Sequence, residues 1–236
     1  MNASGSLSSV HTSALGPPAI FEPGALPRES PAETRLFIVS NSKLWRRGQA
    51  GTTGGHDWQA AGGALGPGAM TVHRGELYLA AHFTLWRRGR VGPQTGNDWS
   101  EVGALPANPA ALASHGGELF AVFENRLYRR GTTFGGTSER WIAEGDAFGV
   151  TAMTSHQGQL LAVSEGTLWA RVAVDGDGGE DWQSAGALTA SYPPPDVFAM
   201  ASHGGALYAV FNDTLNRRAA GESQAGGGAW SAPVWE

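Results

Sequence analysis

Apolar residues run in short bursts along this chain, separated by polar, glycine-rich stretches. "ELYLAA" at 76–81, "ELFAVF" at 118–123, "QLLAVS" at 159–164 and "ALYAVF" at 206–211 are four of them. Neighbouring positions within a burst are both apolar, so a strand built from one is apolar on both faces and has to be covered on both sides. Before each burst, stretches such as "ALASHGG" give a first strand ending in a Gly turn. After it, a tight turn leads to a third strand, "RLYRR" or "TLWRR", and a polar loop such as "GRVGPQTGN" leads to a fourth, "DWSEVGAL".

This order recurs. The leucine that opens the burst falls at Leu36, Leu77, Leu119, Leu160 and Leu207, in steps of 41, 42, 41 and 47 residues. A tryptophan late in the unit falls at Trp58, Trp99, Trp141, Trp182 and Trp230, in nearly the same steps. Four antiparallel strands in about 40 residues, repeated radially, predict an all-β fold: a β-propeller of five blades, each of four antiparallel strands. Helical solenoids of similar period need amphipathic runs of about ten residues or more, and the spacing of Gly and Pro leaves no room for them. The propeller is expected over residues 36–236, with repeats near 36–63, 64–104, 105–147, 148–188 and 189–236.

Residues 1–35 fit the repeat least. Before Leu36 the chain reads "PRESPAET", so the first unit lacks an inner strand in its expected place. "SSVHTSAL" at 8–15 echoes "MTVHRGEL" at 70–77, which would let residues 6–12 supply that strand and make the Pro-rich stretch from Gly16 to Arg35 an inserted loop. The other reading is a mobile tail. The last unit runs through "AWSAPVWE" and can form its own outer strand, leaving ring closure to terminal strands meeting at the first blade.

Composition agrees with many turns and aromatic anchors: 35 Gly, 13 Pro and 9 Trp in 236 residues, with 16% charged. The absence of cysteine excludes disulfides, zinc–thiolate sites and a thiol nucleophile. A net charge of −5 gives no broad reason to bind nucleic acid. The opening residues lack the basic and apolar regions of a secretory signal, and no window reaches the length of a membrane span. The expectation is a soluble protein without membrane insertion, cytoplasmic or released by a non-classical route.

"LFAVFENRLYRRG" followed by "GNDWSEVGAL" or "GEDWQSAGAL" resembles the blade of the tachylectin-2-type five-bladed propeller lectins, in which such a strand pair precedes an Asp/Asn-Trp motif. "WSEVGALP" followed by "HGGELF" is also similar to kelch-type blades, and tectonin repeats are a third relative. The resemblance covers about residues 36–236 and implies a sugar-binding propeller. "FGVTAMTSHQG" and "GPGAMTVHRG" stand where the tachylectin-like blade has a Gly-Gly-Trp and a Phe-rich inner strand.

Two sets of residues are candidates for ligand contact. His73, His115, His156 and His203 share one position just before the Gly turn, where imidazoles either bond backbone at a hairpin end or meet a ligand. Symmetric repetition of one group argues against an active site, which pairs one histidine with one particular partner. Trp58, Trp99, Trp141, Trp182 and Trp230 form the second set, with Asp57, Asp98 and Asp181 before three of them. An indole can wedge between blades while the Asp caps a turn or pairs with Arg. Equally, an aromatic plane beside a carboxylate suits a sugar, whose C–H face stacks while its hydroxyls need oriented acceptors.

Arginine pairs recur at Arg46-Arg47, Arg87-Arg88, Arg129-Arg130 and Arg217-Arg218, with Arg171 alone in the fourth unit. Adjacent strand residues face opposite ways, so each pair sends one guanidinium to either side, and pairing with carboxylates on adjoining blades is expected. "VDGDGGED" at 174–181 reads as an exposed acidic turn, its spacing completing no EF-hand. No P-loop, G-x-S-x-G elbow or H-E-x-x-H motif occurs, and neither a metal nor a cofactor is expected.

Multivalent binding of simple glycans, without catalysis, is the function these features favour, since repeated weak sites on one rigid body gain avidity. The alternative is a propeller that serves as a scaffold for a protein partner, met through unrepeated features such as Phe134, Phe148 or Tyr192 to Pro195. An enzyme with one site in the central channel comes third.

Overall fold

The structure is a computed structural model that describes residues 7–14, 34–40, 42–47, 58–66, 68–88, 99–132, 139–172, 181–188, 197–203, 205–211, 214–218 and 230. All its regular elements are strands. The first sheet contains β1 (Leu7–Ala14), β2 (Thr34–Ser40), β3 (Lys43–Arg47) and β4 (Trp58–Gly63). The second contains β5 (Ala69–His73), β6 (Glu76–Ala81), β7 (Thr84–Arg88) and β8 (Trp99–Ala104). In the third are β9 (Ala111–His115), β10 (Glu118–Phe123), β11 (Arg126–Thr132) and β12 (Glu139–Asp146). The fourth is built from β13 (Val150–His156), β14 (Gln159–Ser164), β15 (Thr167–Arg171) and β16 (Trp182–Ala187). The fifth shows β17 (Val197–His203), β18 (Ala206–Phe211) and β19 (Thr214–Arg218) among the described residues.

Each sheet is a simple antiparallel meander from the inside outward. The inner strands β1, β5, β9, β13 and β17 neighbour one another in turn, and β17 returns to β1. The chain is a closed five-bladed β-propeller. Its doubly apolar second strands explain the closure, because each faces two blades. Leu77, Leu79 and Ala81 pack with Phe37 and Val39 of the first blade, while Tyr78 and Ala80 of the same strand pack with Leu119 and Ala121 of the third. Five buried clusters result, one at each boundary between successive blades, including that between fifth and first. Burial of a Leu- or Val-sized side chain contributes about 1.5–3 kcal/mol, so stability resides in the seams between sheets.

Tight hairpins join first and second strands. Arg74-Gly75, Gly116-Gly117 and Gln157-Gly158 all have positive φ at both positions, the turn whose twist matches that of the strands. Each of the four described outer strands carries a bulge, leaving Ala61, Val102, Glu144 and Ala185 without a ladder partner just before a glycine. In the first blade, Thr12 pairs with Leu36 and Ser13 with Arg35. Thr12 thereby holds the register position of Val72, Ser114, Ser155 and Ser202, and Ser13 that of the histidines. His11, opposite Phe37, lies two residues short of that position, so the "VH" echo in the sequence is out of register with the fold.

Candidate functional site

The recurring histidines link neighbouring inner strands. His73 Nδ1 lies 2.9 Å from Ser114 Oγ, His115 Nδ1 3.0 Å from Ser155 Oγ, and His156 Nδ1 2.8 Å from Ser202 Oγ. Each imidazole therefore meets the hydroxyl that precedes the histidine of the next blade. His73, His115 and His203 also stand edge-on or tilted to Tyr78, Phe120 and Tyr208 of their own blades. Burial, more than the nearby guanidiniums, lowers the pKa of His73, His115 and His156 below 6.5; Arg74 and Arg130 add to it at His73, Arg171 at His115 and Arg218 at His156. These are neutral imidazoles near pH 7.

Tryptophans of the outer strands reach backward across the seams. Trp99 Nε1 donates to the Gly63 carbonyl at 2.9 Å, and Trp182 Nε1 to that of Asp146 at 3.0 Å. Trp58 packs at the boundary of fifth and first blades, Trp141 against Phe123 and Trp230 against Phe211. Asp181 sits 3.5 Å from Arg171, both side chains largely buried. Asp57 and Asp98 lie outside the described residues, as do Phe134, Tyr192 to Pro195 and the acidic turn apart from Asp181.

Arg87 and Arg88 point to opposite sides, and the carboxylates that Arg87 and Arg129 meet belong to their own blades rather than to adjoining ones. Arg129 pairs with Glu118 at 2.7 Å and Glu144 at 2.8 Å, and Arg87 with Glu76 at 3.5 Å, all within one blade. Arg88 instead donates to the Ala61 carbonyl at 2.6 Å, and Arg171 to that of Glu144 at 2.7 Å. Both acceptors are bulged residues of the preceding blade. A bulge withdraws a carbonyl from the ladder, and a charged donor satisfies it where water is excluded. Composition does not reveal these acceptors; the glycine four residues after each of Trp58, Trp99, Trp141 and Trp182 is their trace in the sequence.

Among the described residues, clefts open between blades at either end of the second strands. Between third and fourth blades a cavity of 290 Å³ is lined by Asp146, Phe148, Glu165, Trp169 and Trp182 among others. Phe148 is 69% exposed at its rim. Of the residues singled out by sequence, Trp182 lies here together with Phe148. Between second and third blades a cavity of 340 Å³ holds His73, Arg74, Glu76, Tyr78, Arg87 and Arg130. Trp182 and His73 thus contribute to separate clefts.

No family model matches the chain, and no curated protein matches it. Solved structures match it in fold. One described as "The de novo evolutionary emergence of a symmetrical protein is shaped by folding constraints" aligns with a TM-score of 0.57 at 16% identity, covering 77% of this chain and 84% of its own. YCF48 bound to D1 peptide aligns at a TM-score of 0.41 and 16% identity, over 98% and 67% of the two chains. PorZ of the type-IX secretion system of Porphyromonas gingivalis gives 0.44 and 10%, over 85% and 37%. The likeness is one of fold. Among the described residues, no helix is long and apolar enough to cross a membrane.

Proposed function

We propose that this propeller is a non-catalytic, multivalent carbohydrate-binding protein of the tachylectin-2-like lectin type. The observation that carries the reading is the cleft between third and fourth blades, which is lined by two tryptophans, Trp169 and Trp182, and by two acidic residues, Glu165 and Asp146, the latter with its carboxylate 3.9 Å from Arg126. A sugar presents apolar C–H faces and a ring of hydroxyls, and this pairing of flat apolar surface with oxyanion acceptors meets both demands. Its 290 Å³ is near the lower bound of about 300 Å³ for small-molecule sites and suits one or two sugar rings. Aromatic pairs recur at the same register positions, Trp86 with Trp99, Tyr128 with Trp141 and Trp45 with Trp58, while Gly63, Ala104 and Ala187 hold the position of Asp146, so the aromatic half of the site is the part that repeats and can contribute to avidity.

Glycan-array binding by the full chain, followed by isothermal titration, tests the proposal. Binding of a neutral sugar that Asp146→Asn and Glu165→Gln each weaken about tenfold, the loss of one charge-assisted hydrogen bond, is the expected result. A second reading, a scaffold for a protein partner, draws on Phe148 and on Phe83, 59% exposed. An array and titrations that stay flat for every common sugar, with a partner lost in Phe148→Ser, decide for the scaffold.

A further inference from the structure

The last residue of each second strand governs how open the neighbouring seam is. Phe123 and Phe211 hold this position in the third and fifth blades, opposite Arg126 and Thr214. Phe123 stands edge-on to Tyr128 at 5.5 Å and to Trp141 at 5.2 Å, and Phe211 to Trp230 at 6.0 Å, so a ring occupies the space beside the seam tryptophan. In the fourth blade the position, opposite Thr167, is Ser164, whose hydroxyl donates to the Phe148 carbonyl at 2.7 Å. The second strand supplies no ring there, and the 290 Å³ cavity is lined by Ser164 together with Trp169 and Trp182. Trp182 directs its N–H to the Asp146 carbonyl, so what it offers a ligand is carbon surface.

Small residues hold the same position in two other blades, as Ser40 and Ala81. The residues that follow them differ. Asn41 and His82 come next in those blades, whereas Glu165 follows Ser164; Glu124, the other acid at this turn, comes after the filling ring of Phe123. Asp146 adds a second carboxylate where Gly63, Ala104 and Ala187 stand in other blades. Open position and following acid therefore coincide in the fourth unit alone. Phe148 brings a third aromatic ring to the cavity, and none of the described residues that line it is basic. Arg126 lies 3.9 Å from Asp146 in an exposed pair that solvent screens, which leaves Glu165 as the carboxylate for a ligand.

We propose that the sugar bound in this cleft carries a free, protonated amine. The proposal rests on the carbohydrate reading above and narrows it, for this one seam, to a cationic amino sugar. Aromatic faces attract a cation through their π electrons, most strongly in tryptophan. A carboxylate accepts from an ammonium N–H a charge-assisted hydrogen bond about twice as strong as that from a neutral donor. Neither a hydroxyl nor an acetylated amine at the same carbon gains both.

Isothermal titration of the full chain at low ionic strength and about pH 6, where an alkyl amine is protonated, compares glucosamine, N-acetylglucosamine and glucose, which differ in one substituent. Glucosamine should bind about tenfold more tightly than either neutral sugar, at one site per chain, and the preference should fade as salt is raised. Glu165→Gln should erase the preference, weakening glucosamine more than glucose. Ser164→Phe, which installs the ring that third and fifth blades already carry, should remove the tight site while leaving the melting temperature within a few degrees of wild type. Equal affinity for all three sugars, or a preference that survives Glu165→Gln, overturns the proposal and leaves the carbohydrate reading standing. Titrations flat for all three overturn both.

Discussion

Arg88 of the second blade places its guanidinium 2.6 Å from the carbonyl oxygen of Ala61 in the first. Its side chain is 2% exposed, and the glycine that follows Ala61 makes room for it. A Cβ on Gly62 would lie 2.9 Å from Arg88 Nη2, at a φ of +116 that side chains rarely adopt. Bulge, glycine and arginine form one device.

Arg88→Leu should therefore destabilise by about 2–3 kcal/mol, since a buried carbonyl loses a charged donor. Gly62→Ala should cost about 1–3 kcal/mol through strain and crowding. In a double-mutant cycle the alanine penalty should shrink once Arg88 is gone, leaving a coupling term of about 0.5 kcal/mol or more. Urea unfolding of the four proteins measures it.

Arg129 provides the contrast. Its ion pairs with Glu118 and Glu144 join side chains that are 30%, 44% and 15% exposed. Solvent screening keeps such pairs near 0–1 kcal/mol, so Arg129→Gln should lower stability by about 1 kcal/mol or less, and 1 M salt should reduce the difference further.

Trp182→Phe removes the N–H that reaches the Asp146 carbonyl while keeping an aromatic plane in the seam. Loss of about 1–3 kcal/mol is expected in thermal unfolding, and Trp182→Ala should cost about 3–5 kcal/mol by also opening a cavity. Stability equal to wild type in both would show that the indole is not part of the seam.

The histidines set a pH dependence with a definite sign. Burial, with Arg74, Arg130, Arg171 and Arg218 nearby, holds the folded-state pKa of His73, His115 and His156 below 6.5. Above pH 6.5 folded and unfolded chains alike carry neutral rings. As pH falls below that value the unfolded chain takes up protons first, so stability drops until the folded pKa is passed. Urea midpoints should decline from pH 7.5 to 5.5, and His115→Gln should flatten the slope.

Much of this architecture was written in the leucine and tryptophan landmarks, because a strand apolar on both faces leaves a sheet no option but to be sandwiched. The partners of polar side chains were harder to read. His73, His115 and His156 find their serines 40 to 46 residues on, and although "SH" recurs in the sequence, nothing local shows that the serine serves the previous blade rather than its own. Arg88 and Arg171 seek carbonyls, which no side-chain pattern displays, and those carbonyls exist only because a bulge frees them.

In four of the sheets every strand comes from one unbroken stretch of chain, and none is lent to a neighbour. Sectors of the disc are therefore interchangeable parts, held by side-chain latches rather than by shared ladders. Duplicating or deleting one would alter the circumference without unravelling what remains. Between last and first sectors the hold shown by the described residues is apolar, Ile38 clustering with Ala199, Ala201 and Val210.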